Sequence, residues 1–73
     1  MTVSLAIDIG GTFTDAVLEF GKQRFTAKVL TTKDRPEEGF LAAAAKVIRI
    51  GNLQPNDVDL VIHGTTLATN AII

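Results

Sequence analysis

The sequence predicts an α/β fold in the order β-β-β-α-β, with a further helix after it, and three features carry that prediction. Val3–Ile9 is an apolar, β-branched run, and two alternating runs follow it, Phe13–Phe20 and Arg24–Thr31, each set off by glycine. Apolar residues then recur at helical spacing between Glu37 and Ile50. Val58–Ile62 is a short apolar run beyond the helix, and a strand after a long helical crossover is expected to lie parallel to an earlier strand of the same sheet.

Within the first three runs, the paired glycines Gly10-Gly11 are expected to supply the positive φ angles of a tight turn. Ala16, Leu18 and Phe20 share one face of the second run. Gly21-Lys22 between strand-like segments is the usual signal of a II′ hairpin. In the third run Phe25, Ala27 and Val29 face one way and Arg24, Thr26 and Lys28 the other.

The helix start is signalled by Asp34, with Pro36 in the first turn and Glu37 three residues on. Phe40, Ala44, Val47 and Ile48 form its apolar stripe, which Leu41 and Ala45 are expected to widen. Lys46 and Arg49 suit the negative end of the helix dipole, and Gly51 is expected to stop the helix. Thr65 to Ile73 reads as a second helix with Leu67, Ala68, Ala71 and Ile72 on one side. It stops while still apolar and without a cap, so the chain is expected to be the N-terminal piece of something larger.

Composition excludes several functional classes. The 73 residues make one small domain, 1–73, of a size that buries only about 60% of its unfolded surface. There is no cysteine, hence no disulfide and no thiolate metal site. A formal net charge of −1 with no Lys/Arg cluster argues against a nucleic-acid-binding face. No apolar run reaches membrane-span length, and the N-terminus lacks the pattern of a secretory signal, so a cytoplasmic protein is expected.

Two polar clusters carry chemistry. In Asp8-Ile9-Gly10-Gly11-Thr12-Phe13-Thr14-Asp15, the glycines let backbone N–H groups come close to phosphate oxygens. Thr12 and Thr14 can add hydroxyl donors, and Asp8 is a hard oxygen ligand suited to Mg²⁺. A hairpin turn with ordinary polar neighbours accounts for the same residues. In His63-Gly64-Thr65-Thr66, Gly64 allows close approach, Thr65 or Thr66 can cap a helix, and free N–H groups there attract anions. His63 can orient a substrate, move a proton or bind a metal; equally, it can be a packed histidine beside a capped helix start. Asn70, four residues past Thr66, can share its side of that helix. No G-x-x-x-x-G-K-[ST] occurs and no G-x-G-x-x-G follows the first strand, which sets aside Walker and Rossmann sites.

Together, Asp8-Ile9-Gly10-Gly11-Thr12-Phe13-Thr14-Asp15 and His63-Gly64-Thr65-Thr66-Leu67-Ala68-Thr69-Asn70-Ala71 resemble the N-terminal region of the hydantoinase A/5-oxoprolinase/acetone carboxylase family, over essentially the whole chain. The resemblance implies the ribonuclease-H-like start of an actin/hexokinase/Hsp70-type ATPase lobe, with ATP and Mg²⁺ in a cleft between two lobes. It puts Asp8 on the carboxylate that organises Mg²⁺ and Gly10, Gly11 and Thr12 on the first phosphate loop. Thr14 and Asp15 complete that signature, and His63, Gly64, Thr65 and Thr66 would line the same cleft. Asp8 and His63 are thus the catalytic candidates.

The implied reaction is ATP-dependent opening of a cyclic amide such as hydantoin or 5-oxoproline through phosphorylation of its carbonyl, or a related ketone carboxylation. The second phosphate loop, the adenosine pocket and the other lobe lie outside these residues. The chain alone is therefore expected to have no turnover, and its implied partners are the remaining ATPase lobes and a hydantoinase B-type subunit. A sugar- or acyl-kinase-like ATPase and a non-catalytic assembly module are the competing readings.

Overall fold

The computed structural model describes residues 2–65. Its elements are β1 (Val3–Ile9), β2 (Phe13–Phe20), β3 (Gln23–Leu30), α1 (Pro36–Ile50), a 3₁₀ turn (Pro55–Asp57) and β4 (Leu60–Thr65). The sheet is four-stranded in the order β3-β2-β1-β4. β1 runs antiparallel to β2 and parallel to β4, and β2 runs antiparallel to β3. The expected β-β-β-α-β order and the parallel return are both found, with β1 and β2 at the expected residues. The second helix expected from Thr65 to Ile73 falls, apart from Thr65, outside the described residues.

Strand alternation decides what α1 covers. Leu5 and Ile7 of β1, Thr14, Ala16 and Leu18 of β2, and Ala27 of β3 are buried beneath Ala43, Val47 and Ile48 of α1. The next residue along each strand points to the other face, so Asp8, Asp15 and Lys28 lie away from the helix. The helix packs lower on the sheet than its large side chains suggest. Leu41 is 64% exposed and Ala45 is exposed, whereas Gly39 and Ala43 are buried. Small residues are on the contact face because they let the helix backbone come close to the strands.

The turns correct two expectations, while α1 does stop at Gly51 as expected. Neither Gly10 nor Gly11 has a positive φ; among the described residues that conformation belongs to Gly21 (φ 60) and Asn52 (φ 59). Gly21 does open the two-residue hairpin between β2 and β3, in which Phe20 faces Gln23. At the start of α1 the cap position is Arg35, with no side-chain capping bond, so Asp34 does not cap. Pro36 instead presets the first turn.

At the other end Gly51 sits at φ −75 in ordinary helical space, and Asn52 makes the left-handed reversal. Asn52 N–H donates to Arg49 O (3.0 Å) and Leu53 N–H to Ile48 O (3.1 Å), which is the Schellman arrangement. Gly51 is glycine for another reason. A Cβ there would lie 2.6 Å from Leu18 Cδ2.

β4 begins two residues later than the run Val58–Ile62 suggests, because Asp59 is used differently. Its Oδ2 accepts from Val3 N–H (2.8 Å) and its own N–H donates to Val3 O (2.9 Å). This pair of bonds sets the register at which β4 joins β1. The strand then continues through His63, Gly64 and Thr65, and the helix that Thr65 or Thr66 is expected to cap lies outside the described residues. Leu60, Val61 and Ile62 are each about half exposed, at 50%, 53% and 54%.

Candidate functional site

Register brings the two polar clusters side by side. Gly64 of β4, Asp8 of β1, Asp15 of β2 and Lys28 of β3 are successive partners in one row across the sheet, on the face away from α1. Two carboxylates thus stand directly opposite each other at the C-terminal end of β1. Like charges so placed are destabilising, by some tenths of a kcal/mol to about 1. Lys28 Nζ lies 3.7 Å from Asp15 Oδ1 and 5.0 Å from the Phe13 ring centre, so the second carboxylate is partly balanced. Asp8, Asp15 and Gly64, with Ala6, Ile7, Val17, Ile62 and His63, line a shallow hollow of about 390 Å³ over this row.

The Gly-Gly turn stands at the end of the same row. Gly10 N–H donates to Phe13 O (2.9 Å), which closes the turn between β1 and β2. From below, Thr31 N–H donates to Thr12 O (2.8 Å) and the Thr31 hydroxyl to Gly10 O (2.9 Å). Among the described residues no acceptor takes the N–H of Gly11 or Thr12, and both residues are exposed. Nothing among the described residues lies within 4 Å of where a Gly11 Cβ would be. The glycine therefore serves neither a left-handed turn nor an internal contact; it leaves the outer surface of the turn open.

Thr14, expected among the phosphate donors, is fully buried on the α1 side. Its hydroxyl lies 2.9 Å from that of Thr31. Thr31 has a single hydroxyl hydrogen, directed to Gly10 O, so Thr14 must be the donor in this pair.

The His63 ring does not point the same way as the Asp8 carboxylate. In a parallel pair, partners point to the same side, and His63 is the partner of buried Ile7 while Asp8 is the partner of Gly64. The two catalytic candidates accordingly lie on opposite faces of the sheet. The His63 ring meets Phe40 of α1 edge-on, with centres 4.9 Å apart and planes at 76°. Together with Ile9, Pro36 and Glu37 these rings line a separate, largely apolar groove of about 450 Å³. Gly64 has nothing among the described residues within 4 Å of a Cβ position, on the Asp8 side of β4. Thr66 and Asn70 lie outside the described residues.

Thr31 and Lys28 were not singled out from sequence, though a signal for Lys28 exists. The two-residue hairpin at Gly21-Lys22 fixes the β2–β3 register, and counting back along it puts Lys28 opposite Asp15. For Thr31 no local pattern exists, since it acts on a turn remote in sequence.

Comparison with known proteins agrees with the motif pair. Residues 4–73 match the family described as the hydantoinase/oxoprolinase N-terminal region. An uncharacterized protein of Methanocaldococcus jannaschii is 39% identical over 72 residues, covering 96% of this chain and 10% of that protein. The gamma subunit of acetophenone carboxylase from Aromatoleum aromaticum is 39% identical over 75 residues, again covering 96% of this chain and 10% of its own length. The chain thus spans about a tenth of the curated relatives it matches. With both clusters in place and the match running over nearly all its residues, the chain belongs to the hydantoinase/oxoprolinase family and carries its N-terminal region.

Proposed function

We propose that this region is the first phosphate-binding part of an ATP-dependent enzyme that opens cyclic amides or carboxylates ketones. In this reading the Gly10–Thr12 turn receives phosphate oxygens. The observation that carries it is the outer surface of that turn: two N–H groups without acceptors among the described residues, no Cβ at Gly11, and a carboxylate row alongside. A turn serving only to reverse the chain needs none of these.

The residues also fit Mg²⁺ as its nucleotide partner. Asp8 and Asp15 offer hard carboxylate oxygens facing each other on one side of the sheet, and this ion binds through few carboxylates while keeping waters. When bound it supplies positive charge against the phosphate oxygens. Asp8 would be the ligand, Asp15 its neighbour tied to Lys28, and Gly64 the gap that lets a nucleotide reach them. The amides of Gly11 and Thr12 donate to phosphate, and the Thr12 hydroxyl can add a further bond.

A ring amide is a poor electrophile, because its nitrogen donates into the carbonyl. Activation by phosphoryl transfer from ATP asks the protein chiefly for positioning and charge stabilisation, which fixed backbone donors and a carboxylate-held Mg²⁺ would provide. His63, packed on Phe40 across the sheet, belongs to the other groove, where it would orient a substrate group. The remaining lobes, a second subunit of hydantoinase B type, and the choice between cyclic amide and ketone complete the proposal. The likeness to a carboxylase gamma subunit supports a multi-subunit assembly.

Gly11→Ala tests the reading directly. No protein atom opposes the added methyl and no positive φ is involved, so the melting temperature should stay within a few degrees of wild type. Calorimetric titration of the full-length protein with Mg²⁺-ADP should show affinity lower by about tenfold or more, because the methyl occupies the approach to the amides. Unchanged affinity would remove phosphate from this turn.

A further inference from the structure

We infer that Thr31 is a positioning residue that aims the Gly11 amide at the phosphate, an inference resting on the function proposed above. A trans peptide unit is planar, so its C=O and the following N–H point in opposite directions. The Thr31 hydroxyl holds the Gly10 carbonyl from the protein side at 2.9 Å. The N–H in that same peptide plane belongs to Gly11, and it is thereby turned outward. Fixing the carbonyl fixes the donor.

The hydroxyl is itself fixed. Thr14, wholly buried, gives its hydrogen to Thr31 Oγ1 (2.9 Å), leaving the Thr31 hydrogen for Gly10 and no other acceptor. The order Thr14 to Thr31 to Gly10 is therefore a one-directional hydrogen-bond chain, running from the core to the underside of the turn. Thr31 also ties the turn at a second point, through its N–H on the Thr12 carbonyl (2.8 Å). Two of the turn's carbonyls are thus restrained by one residue, which lies just past the end of β3.

Gly39 makes room for the device. A Cβ on this first-turn residue of α1 would come within 3.3 Å of Thr14 Oγ1, 3.6 Å of Leu30 O and 3.8 Å of Thr31 Cα. The helix is therefore close-packed against the hydroxyl pair and covers its Thr14 end. With Thr14 wholly buried, the donor end of the chain has no solvent partner to exchange for, so the turn is held in one orientation before any ligand arrives. Pre-organised donors bind anions without a reorganisation cost at the moment of binding.

The test uses the full-length protein, Mg²⁺-ADP as the probe, and four variants. Thr31→Val keeps the shape and removes the hydroxyl; Thr31→Ser keeps the hydroxyl. Gly11→Ala blocks the phosphate surface itself. Asp59→Ala, which loosens the far end of β1 and β4, controls for lost stability alone. The expected result is affinity about tenfold lower in Thr31→Val, within about threefold of wild type in Thr31→Ser, and unchanged in Asp59→Ala. Because Thr31→Val strands the Thr14 donor, Thr14→Val/Thr31→Val is measured as well, and it should show the same loss of affinity with better folding.

Wild-type affinity in Thr31→Val and the double variant, with affinity lost in Gly11→Ala, would overturn the role of Thr31 and leave the phosphate reading standing. Loss in Asp59→Ala equal to that in Thr31→Val would reduce Thr31 to a general stability residue. Absence of Mg²⁺-ADP binding in the wild type would overturn both readings together.

Discussion

Asp8→Asn in the full-length protein should abolish most turnover while leaving the fold intact. The substitution keeps an acceptor oxygen at the same place and removes one of two charges that face each other across β1 and β2. Relief of that repulsion works in favour of the fold, and exposed substitutions of this kind usually stay within about 0.5 kcal/mol. Activity is different. In the proposed reading Asp8 would hold the Mg²⁺ whose positive charge meets the phosphate oxygens, and removing a single group in such an electrostatic role costs about 10²–10³ in rate. ATP turnover measured at saturating Mg²⁺, next to a thermal melt, separates the two effects. Full activity in the variant would move the metal elsewhere.

Gly51→Ala should produce the largest loss of stability of any single methyl added to this region. Its backbone, at φ −75, suits alanine, and alanine even favours the helical conformation. The obstacle is purely steric: the new carbon would sit 2.6 Å from Leu18 Cδ2 and 3.4 Å from Phe25 Cδ2. Leu18 is completely buried and has nowhere to retreat. Overpacking of this kind costs about 1–3 kcal/mol, a serious share of the stability of a small domain. The partner substitution Leu18→Ala supplies the check. If the overlap is the cause, the double variant should be more stable than the sum of the single effects predicts, by denaturant titration. Simple additivity would point to another cause.

The contrast between these two positions shows what was legible in the sequence. Both motifs, the element order and the boundaries of β1 and β2 could be read, because alternation and glycine punctuation are local signals. The helix stripe was misjudged at Leu41 and Ala43, since size suggests burial, whereas closeness of the helix to the sheet selected the alanine. Asp34 looked like a cap, but the backbone enters α1 through Arg35. His63-Gly64-Thr65 reads from sequence as the opening of a helix, because glycine followed by threonines is a cap signal. It is a strand because β1 is there to pair with, and that is a tertiary fact. The division of Asp8 from His63 follows from the same register and could not be seen without it. Likewise, Thr31 is informative only once it is seen beneath Gly10.

The pairing of β1 with partners at very different distances along the chain has a kinetic consequence. Its antiparallel neighbour is the next strand, joined by a short turn, while its parallel neighbour lies 56 residues away, as between Val3 and Asp59. Hairpins close in about 1–10 μs, but a distant pairing waits for the intervening chain to order and bears a larger closure entropy. Asp8, Asp15 and Lys28 should therefore be aligned early, in the three-strand meander, with Gly64 arriving last. Pulse-labelled hydrogen exchange during refolding should protect the amides of β2 before those of β4; simultaneous protection would mean that the helix and its return strand fold together with the meander. The carboxylate row would then exist, for a moment in every folding event, as a half-open site awaiting its fourth strand.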